Sequence, residues 1–153
     1  MPNEENNIEF GFTKLKTNQF AVIESSYDKK NDHEEFSSSF EVNAEPHLLE
    51  ISIKGRFEFL QNKIPFIIIE VSGFFNVTQN GWDSFYSPEN KKLTFPKGFV
   101  IHLSTLVTGA ARGVLHVKTE NTIFNTFILP TVNLLEMIKD DLIIDYIDTN
   151  RNM

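Results

Sequence analysis

Four histidines, His33, His47, His102 and His116, are the side chains best suited to chemistry in a chain of 153 residues that has no cysteine. Without thiols there is no disulfide framework, no thiolate metal site and no cysteine nucleophile. His33 lies in the charged stretch YDKKNDHEE and His47 follows Pro46, and exposed histidines are ordinary in both settings. His102 and His116 share a predicted helix, but at 1.5 Å per residue they stand about 21 Å apart and cannot hold one ion. The adjacent pairs Glu34-Glu35 and Asp140-Asp141 point their side chains apart on a helix or a strand, so neither is an acid/base couple. HExxH, GxSxG, the P-loop and GxGxxG are all missing from the sequence. The expectation is a protein that is not an enzyme, with no catalytic residue, cofactor or metal site.

Charge and composition narrow the partners. The formal net charge is −7, and the Lys and Arg residues are scattered, the densest groups being Lys29-Lys30 and Lys91-Lys92. Phosphate neutralisation needs clustered cations, so no nucleic-acid partner is expected. The N-terminus lacks the basic start and apolar run of a signal peptide, and no apolar run reads as membrane-spanning, so a cytoplasmic protein without membrane insertion is expected. Fifteen phenylalanines (Phe 15) are more than a core of this size needs, and some of that aromatic bulk is available for a binding surface.

The first half of the chain reads as antiparallel sheet. IEFGF alternates Ile8, Phe10 and Phe12 against Glu9 and Gly11, and FAVIESS continues extended; the charged loop Tyr27 to Glu35 separates this from FSSSFEVN. LLEISIKGRFEF places Leu49, Ile51, Ile53, Phe57 and Phe59 on one face and charged residues on the other, the pattern of a sheet with one dry face. After the turn LQNKI, PFIIIEVSGFFNV is apolar on both sides, with Ile67, Ile69, Val71, Phe75 and Val77 on one and Phe66, Ile68 and Phe74 on the other. Such a strand needs a second cover, and Gly73 marks a bulge or a close backbone approach. Residues 78–95 read as a polar, aromatic-bearing loop.

Pro96 opens a helical stretch of about three to four residues' periodicity through Glu120, with Leu103, Leu106, Val107, Ala110, Val114 and Val117 as its apolar stripe. Beside the stripe runs a line of small residues, Thr105, Gly109 and Gly113. A helical glycine costs up to ~1 kcal/mol against alanine. Either another backbone packs closely on this line, or the helix breaks near Thr108-Gly109. A short helix begins at Asn133, capped by its side chain, with Glu136 placed for a capping box. DDLIIDYID then forms a short strand or a docked tail. With strands first and helices after, the fold class is α+β: a four-stranded antiparallel sheet followed by a long helix, an apolar linker and a short helix packed on one face, forming a single domain over 1–153 with residues 1–7 and 148–153 disordered.

Between the two helices a run of large apolar residues, Ile123, Phe124, Phe127, Ile128 and Leu129, ends at Pro130. The stretch Thr108 to Ile138 resembles the export chaperone SecB and the wider SecB-like family. Ala111-Arg112 stands where that family has its Ala-Arg, and FILPTVNLLEMI follows with Leu129, Pro130, Val132 and Asn133 on the motif positions, Leu134 replacing the family's aromatic. FIIIEVSGFFNV is similar to the family's fourth strand, and the likeness covers about residues 36 to 138 in order and kind. The resemblance implies that the linker lines an apolar groove for unfolded polypeptides, with Phe124, Phe127, Ile128, Leu129, Pro130, Leu134, Leu135, Phe66, Ile68 and Phe74 as candidate lining. It also implies dimers or tetramers built through sheets and long helices, with Thr105, Gly109, Arg112, Gly113 and His116 as oligomer or structural candidates.

The likeness has gaps. The family's SecA-contacting tail often carries a Cys/His zinc cluster, whereas this sequence has no cysteine and ends in DTNRNM. Of the acidic patch that SecA recognises, Glu70 is present, while the SSSFEV strand is poor in acid. The leading reading is therefore an oligomeric SecB-like holdase not coupled to SecA. Its alternative is a SecB-fold protein with one dedicated partner such as an antitoxin, and the third reading is a small ligand-binding domain or enzyme.

Overall fold

The computed structural model describes residues 8–146. The tails expected to be disordered, 1–7 and 148–153, lie outside the described residues. Four long strands, β1 (Phe10–Val22), β2 (Glu35–Glu45), β3 (Glu50–Gln61) and β4 (Ile64–Val77), form one antiparallel sheet in the order β1-β4-β3-β2. Strict period two decides which side of β3 is dry: Ile51, Ile53, Gly55, Phe57 and Phe59 are buried, and the residues alternating with them are half-exposed. Asn62 and Lys63 close the β3–β4 hairpin with φ of 52° and 64°, the left-handed pair that matches strand twist in a two-residue turn. The connection from β1 to β2 crosses from one edge of the sheet to the other. Gln61 anchors it from the hairpin: its Oε1 accepts from Asp28 N at 2.7 Å and its Nε2 donates to the Asp28 carbonyl at 3.1 Å.

Over the dry face lies α2 (Lys97–Lys118), preceded by a short α1 (Gln79–Phe85) and followed by α3 (Leu134–Met137). A second sheet orders β5 (Tyr86–Ser87), β6 (Lys92–Phe95) and β7 (Leu142–Asp145) in sequence. The stretch 78–95, expected to be a loop, is thus a helix and two short strands. Thr78 caps α1 by accepting from Gly81 N, and Trp82 and Phe85, three apart, turn the same face inward. Of the alternatives for the C-terminal stretch, a strand forms: β7 pairs with β6, and Asp141 accepts from Lys97 N at 2.9 Å at the start of α2.

Helix α2 is continuous, so no break occurs at Thr108-Gly109. Its length and composition alone would suit a bilayer-crossing helix, a criterion that helices packed into a protein core also meet. Here one side of it packs on the sheet. The buried face is rotated from the predicted stripe: Phe99, Val100, Leu103, Val107, Ala111 and Leu115 are buried, while Leu106, Ala110 and Val114 are half-exposed and Val117 is exposed. A Cβ at Gly73 would lie 2.8 Å from Val107 Cγ2 and 3.1 Å from Phe12 Cζ. Gly73 is therefore the close approach foreseen, of helix onto strand, and it keeps its register pairing in both neighbouring ladders without a bulge.

The second cover predicted for β4 comes from the chain itself. On its outer face, Lys14 Nζ stands 5.1 Å from the Phe74 ring centroid, and Ile68 is flanked by Ala21 and Glu58. Phe66 leaves this face altogether. The register skips it between Leu60↔Pro65 and Phe59↔Ile67, a bulge that turns its ring to the helix side.

Candidate functional site

The apolar linker is fixed from below and bare on top. From α2, Arg112 Nε donates to the Leu129 carbonyl at 3.0 Å, and a second guanidinium nitrogen donates to the Pro130 carbonyl at 3.3 Å. Pro130 has no amide to offer, so its segment cannot join a strand ladder through that position, and the planar donor fork of arginine suits two successive carbonyls. Arg112 thus reaches the linker of its own chain. Arg112→Ala removes both charge-assisted bonds and is expected to cost about 1–2 kcal/mol, or a melting temperature lower by about 3–6 °C in a calorimetric scan. Arg112→Lys should recover only part of this, and an unchanged melting temperature for the alanine variant would refute the role.

Beneath the linker lies an aromatic cluster. Phe127 sits 5.2 Å from Phe66 and 5.4 Å from Phe59, and Tyr27 lies 4.9 Å from Phe66 and 5.2 Å from Phe124, mostly tilted or edge-on as ring quadrupoles prefer. Tyr27, read from sequence as the first residue of a charged loop, pins the β1–β2 connection to this cluster. The start of α3 is held by Asn133 Oδ1, which accepts from Glu136 N at 3.4 Å.

The ten candidate groove residues divide accordingly. Phe66, Phe124, Leu129 and Leu134 are buried by the chain itself, and Phe127 is half-buried among them. Ile68 and Phe74 face the opposite side of the sheet, where the β4 alternation puts them with Glu70 and Ser72. Ile128, Pro130 and Leu135 are exposed, Ile128 at 67% and Leu135 at 74%. Residues outside those ten candidates extend this strip. Ile123 and Met137 are exposed, and the half-buried Phe36, Phe40 and Val42 of β2 line up at every second or fourth position. Ser38 Oγ lies 3.7 Å from Met137 Sδ, which sets α3 against β2. The FSSSFEV alternation carried that signal; the serines disguised it.

The outer sheet face is neutralised. Glu70 is paired with Arg56 at 3.0 Å with its side chain only 18% exposed, Glu58 shares the same guanidinium at 3.0 Å, and Gln19 accepts from it as well. The Glu70 hydrogen bond holds the Arg56 guanidinium above its ordinary value against a desolvation that lowers it, with Glu58 assisting. Glu70 is therefore part of an internal ladder with Arg56.

Among the oligomer candidates, Thr105, Gly109, Gly113 and His116 are all exposed on α2. The Thr105 hydroxyl donates to the Ile101 carbonyl at 2.8 Å, and His116 Nε2 lies 3.6 Å from Glu120. His102 is far along the helix, against the Phe10 ring at 5.7 Å. Among the described residues, no three His, Asp or Glu side chains gather in a metal-binding cluster.

No family model matches the sequence, and no curated protein matches it. Among solved structures, the SecB-like chaperone Rv1957 of Mycobacterium tuberculosis, in complex with a ChAD peptide from the antitoxin Rv1956 HigA1, aligns with a TM-score of 0.47 and 8% identity, covering 80% of this chain and 90% of that one.

Proposed function

We propose that this chain is a non-enzymatic, homo-oligomeric protein that holds unfolded or partly folded polypeptide segments along the linker. The observation that carries the reading is the exposed apolar strip formed by Ile123 and Ile128 of the linker and Leu135 and Met137 of α3, with the linker held by Arg112 and restricted in φ at Pro130. A rigid apolar surface binds without first losing conformational entropy. Beside the strip, β2 is a sheet edge that pairs only with β3 among the described residues, so its outer main-chain groups can pair with an extended segment while the strip takes alternate side chains. The resemblance of the Leu-Pro-x-x-Asn linker to that of SecB-like proteins supports the same reading. Coupling to SecA is not proposed, because Glu70 is engaged by Arg56.

A second apolar face supports the oligomer. Phe12 and Leu15 of β1 are exposed, and the contact of Phe10 with His102 puts β1 along the side of α2 that carries Leu106, Ala110 and Val114. Gly109 and Gly113 open this side further, with nothing within 4 Å of a Cβ built on either. A twofold contact would cover both elements at once.

The test is suppression of aggregation. Wild-type protein at stoichiometric ratio should keep several chemically unrelated unfolding clients in solution, and Ile128→Asp/Leu135→Asp should lose most of that effect. Both sites are exposed, so the double variant should keep its fold by circular dichroism. Failure of wild type on every client would remove the holdase reading. Capture of one folded protein at equal stoichiometry from the native lysate would replace it with a dedicated-partner role.

A further inference from the structure

A cavity of about 450 Å³ opens where the β2–β3 connection, α1, β5 and the residue after β7 meet, and its walls include His47, Gln79, Trp82, Asp83, Tyr86 and Tyr146. A smaller cavity of about 200 Å³ adjoins it, sharing His47 and Tyr146 and adding Glu45 and Asp145. The first volume lies within the range of small-ligand sites.

The walls are of two kinds. Tyr86 and Tyr146 stand edge to face with ring centroids 5.1 Å apart. Trp82 is buried, and Phe85 and Phe95, each with its ring centroid 6.1 Å away, fix its indole from behind. The second kind is acidic. Asp83 accepts from Gln79 Nε2 at 2.8 Å through Oδ1, which leaves Oδ2 available. Neither Asp83, Glu45 nor Asp145 joins an ion pair among the described residues. Besides the His47 imidazole, which lines both cavities, the neighbouring basic groups belong to β6 and the residue before it: Lys92 stands opposite Asp145 in the ladder, and the Lys91 carbonyl accepts from Tyr146 N. Neither lysine side chain lines either cavity.

Electron-rich ring faces beside the Asp83 carboxylate attract cations and repel anions, and a wholly apolar ligand would strand that carboxylate on desolvation. We propose that this cavity is a binding site for an organic cation, an alkylammonium or guanidinium group presented by a free amine or by a Lys or Arg side chain of a polypeptide. The site is separate from the linker strip and does not depend on the holdase reading.

Trp82 is the only tryptophan (Trp 1) and lines the cavity, so its fluorescence reports occupancy directly. The probes are spermidine, an acetylated and amidated Gly-Gly-Arg-Gly-Gly peptide, and the same peptide with neutral citrulline for arginine. At least one cationic probe should give a saturable change. The citrulline peptide should bind at least about tenfold more weakly than the arginine peptide if the latter binds, and Tyr86→Ala and Asp83→Asn should each weaken the binding probe by about tenfold. Asp83 is exposed and asparagine can keep the Gln79 bond, so loss of fold would not account for that variant. A response to spermidine alone assigns the site to free amines, and a response to the arginine peptide alone assigns it to polypeptide side chains. Absence of any saturable change at millimolar probe, equal binding of the citrulline peptide, or unchanged affinity in both variants would overturn the proposal.

Discussion

Phe66→Ala is expected to cost about 3–5 kcal/mol, the range for truncating a fully buried phenylalanine. Phe66 is 0% exposed, and the β4 bulge aims its ring where three other segments meet. Tyr27 of the β1–β2 connection lies 4.9 Å away, Phe127 of the linker 5.2 Å and Phe59 of β3 6.3 Å. Each of these rings is itself wedged between others, so the cavity cannot close by a simple collapse of one neighbour. The melting temperature should fall by about 10 °C in a thermal scan. Phe66→Leu, which keeps most of the volume, should cost less than about 1.5 kcal/mol. A fall below about 3 °C for the alanine variant would show that the linker is not held through this ring.

Gly109→Leu has the largest expected effect on assembly and tests it with opposite signs. In the isolated chain nothing lies within 4 Å of a Cβ at this position, and replacing a helical glycine should stabilise α2 by up to about 1 kcal/mol. If two copies pack their α2 helices across Gly109 and Gly113, the added side chain occupies the space that the partner's backbone needs. The expected result is an assembly of wild-type chains, dimer or tetramer by light scattering, and a monomeric variant with an unchanged circular dichroism spectrum. Wild-type protein that is monomeric at micromolar concentration would refute the assembly, and the variant should then simply melt higher. Val117, 63% exposed near the end of the same face, is the natural second position.

Much of the scaffold is legible in the amino-acid order alone, and the reasons are local. The alternation Ile51, Ile53, Phe57, Phe59 admits one pleated arrangement with one dry face, because side chains of a strand alternate strictly. The long helix was legible from its period and from Pro96, and the start of α3 from an asparagine able to cap it. The β3–β4 hairpin was legible as a turn between two apolar runs. What failed locally was the stretch 78–95, where polar residues around Trp82 and Phe85 masked a helix too short to show a full period.

The candidate site was less legible, since burial there depends on residues far apart in the chain. Leu129 and Ile128 are neighbours of nearly the same character, yet one is buried under Arg112's carbonyl contacts and the other is exposed. Nothing within FILP distinguishes them. Glu70 matched an acidic position by type, but only its register partner Arg56 across the β3–β4 ladder determines that it is neutralised.

By itself, then, the amino-acid order determined the class of each long element, the two-sided apolar character of β4 and the restricted φ at Pro130 in the linker. These follow from φ restriction and from side-chain periods of 2 and 3.6, which are properties of single segments. The tertiary structure alone decided the sheet order β1-β4-β3-β2, the rotation of α2 onto Gly73, the turning of Phe66 by a bulge and the pairing of β7 with β6. Each of these is a choice among partners. Such choices are made by the fit of whole surfaces, a helix seated where a missing Cβ admits it or a strand paired where its neighbour's edge is open, and no local window of sequence contains both halves of that fit.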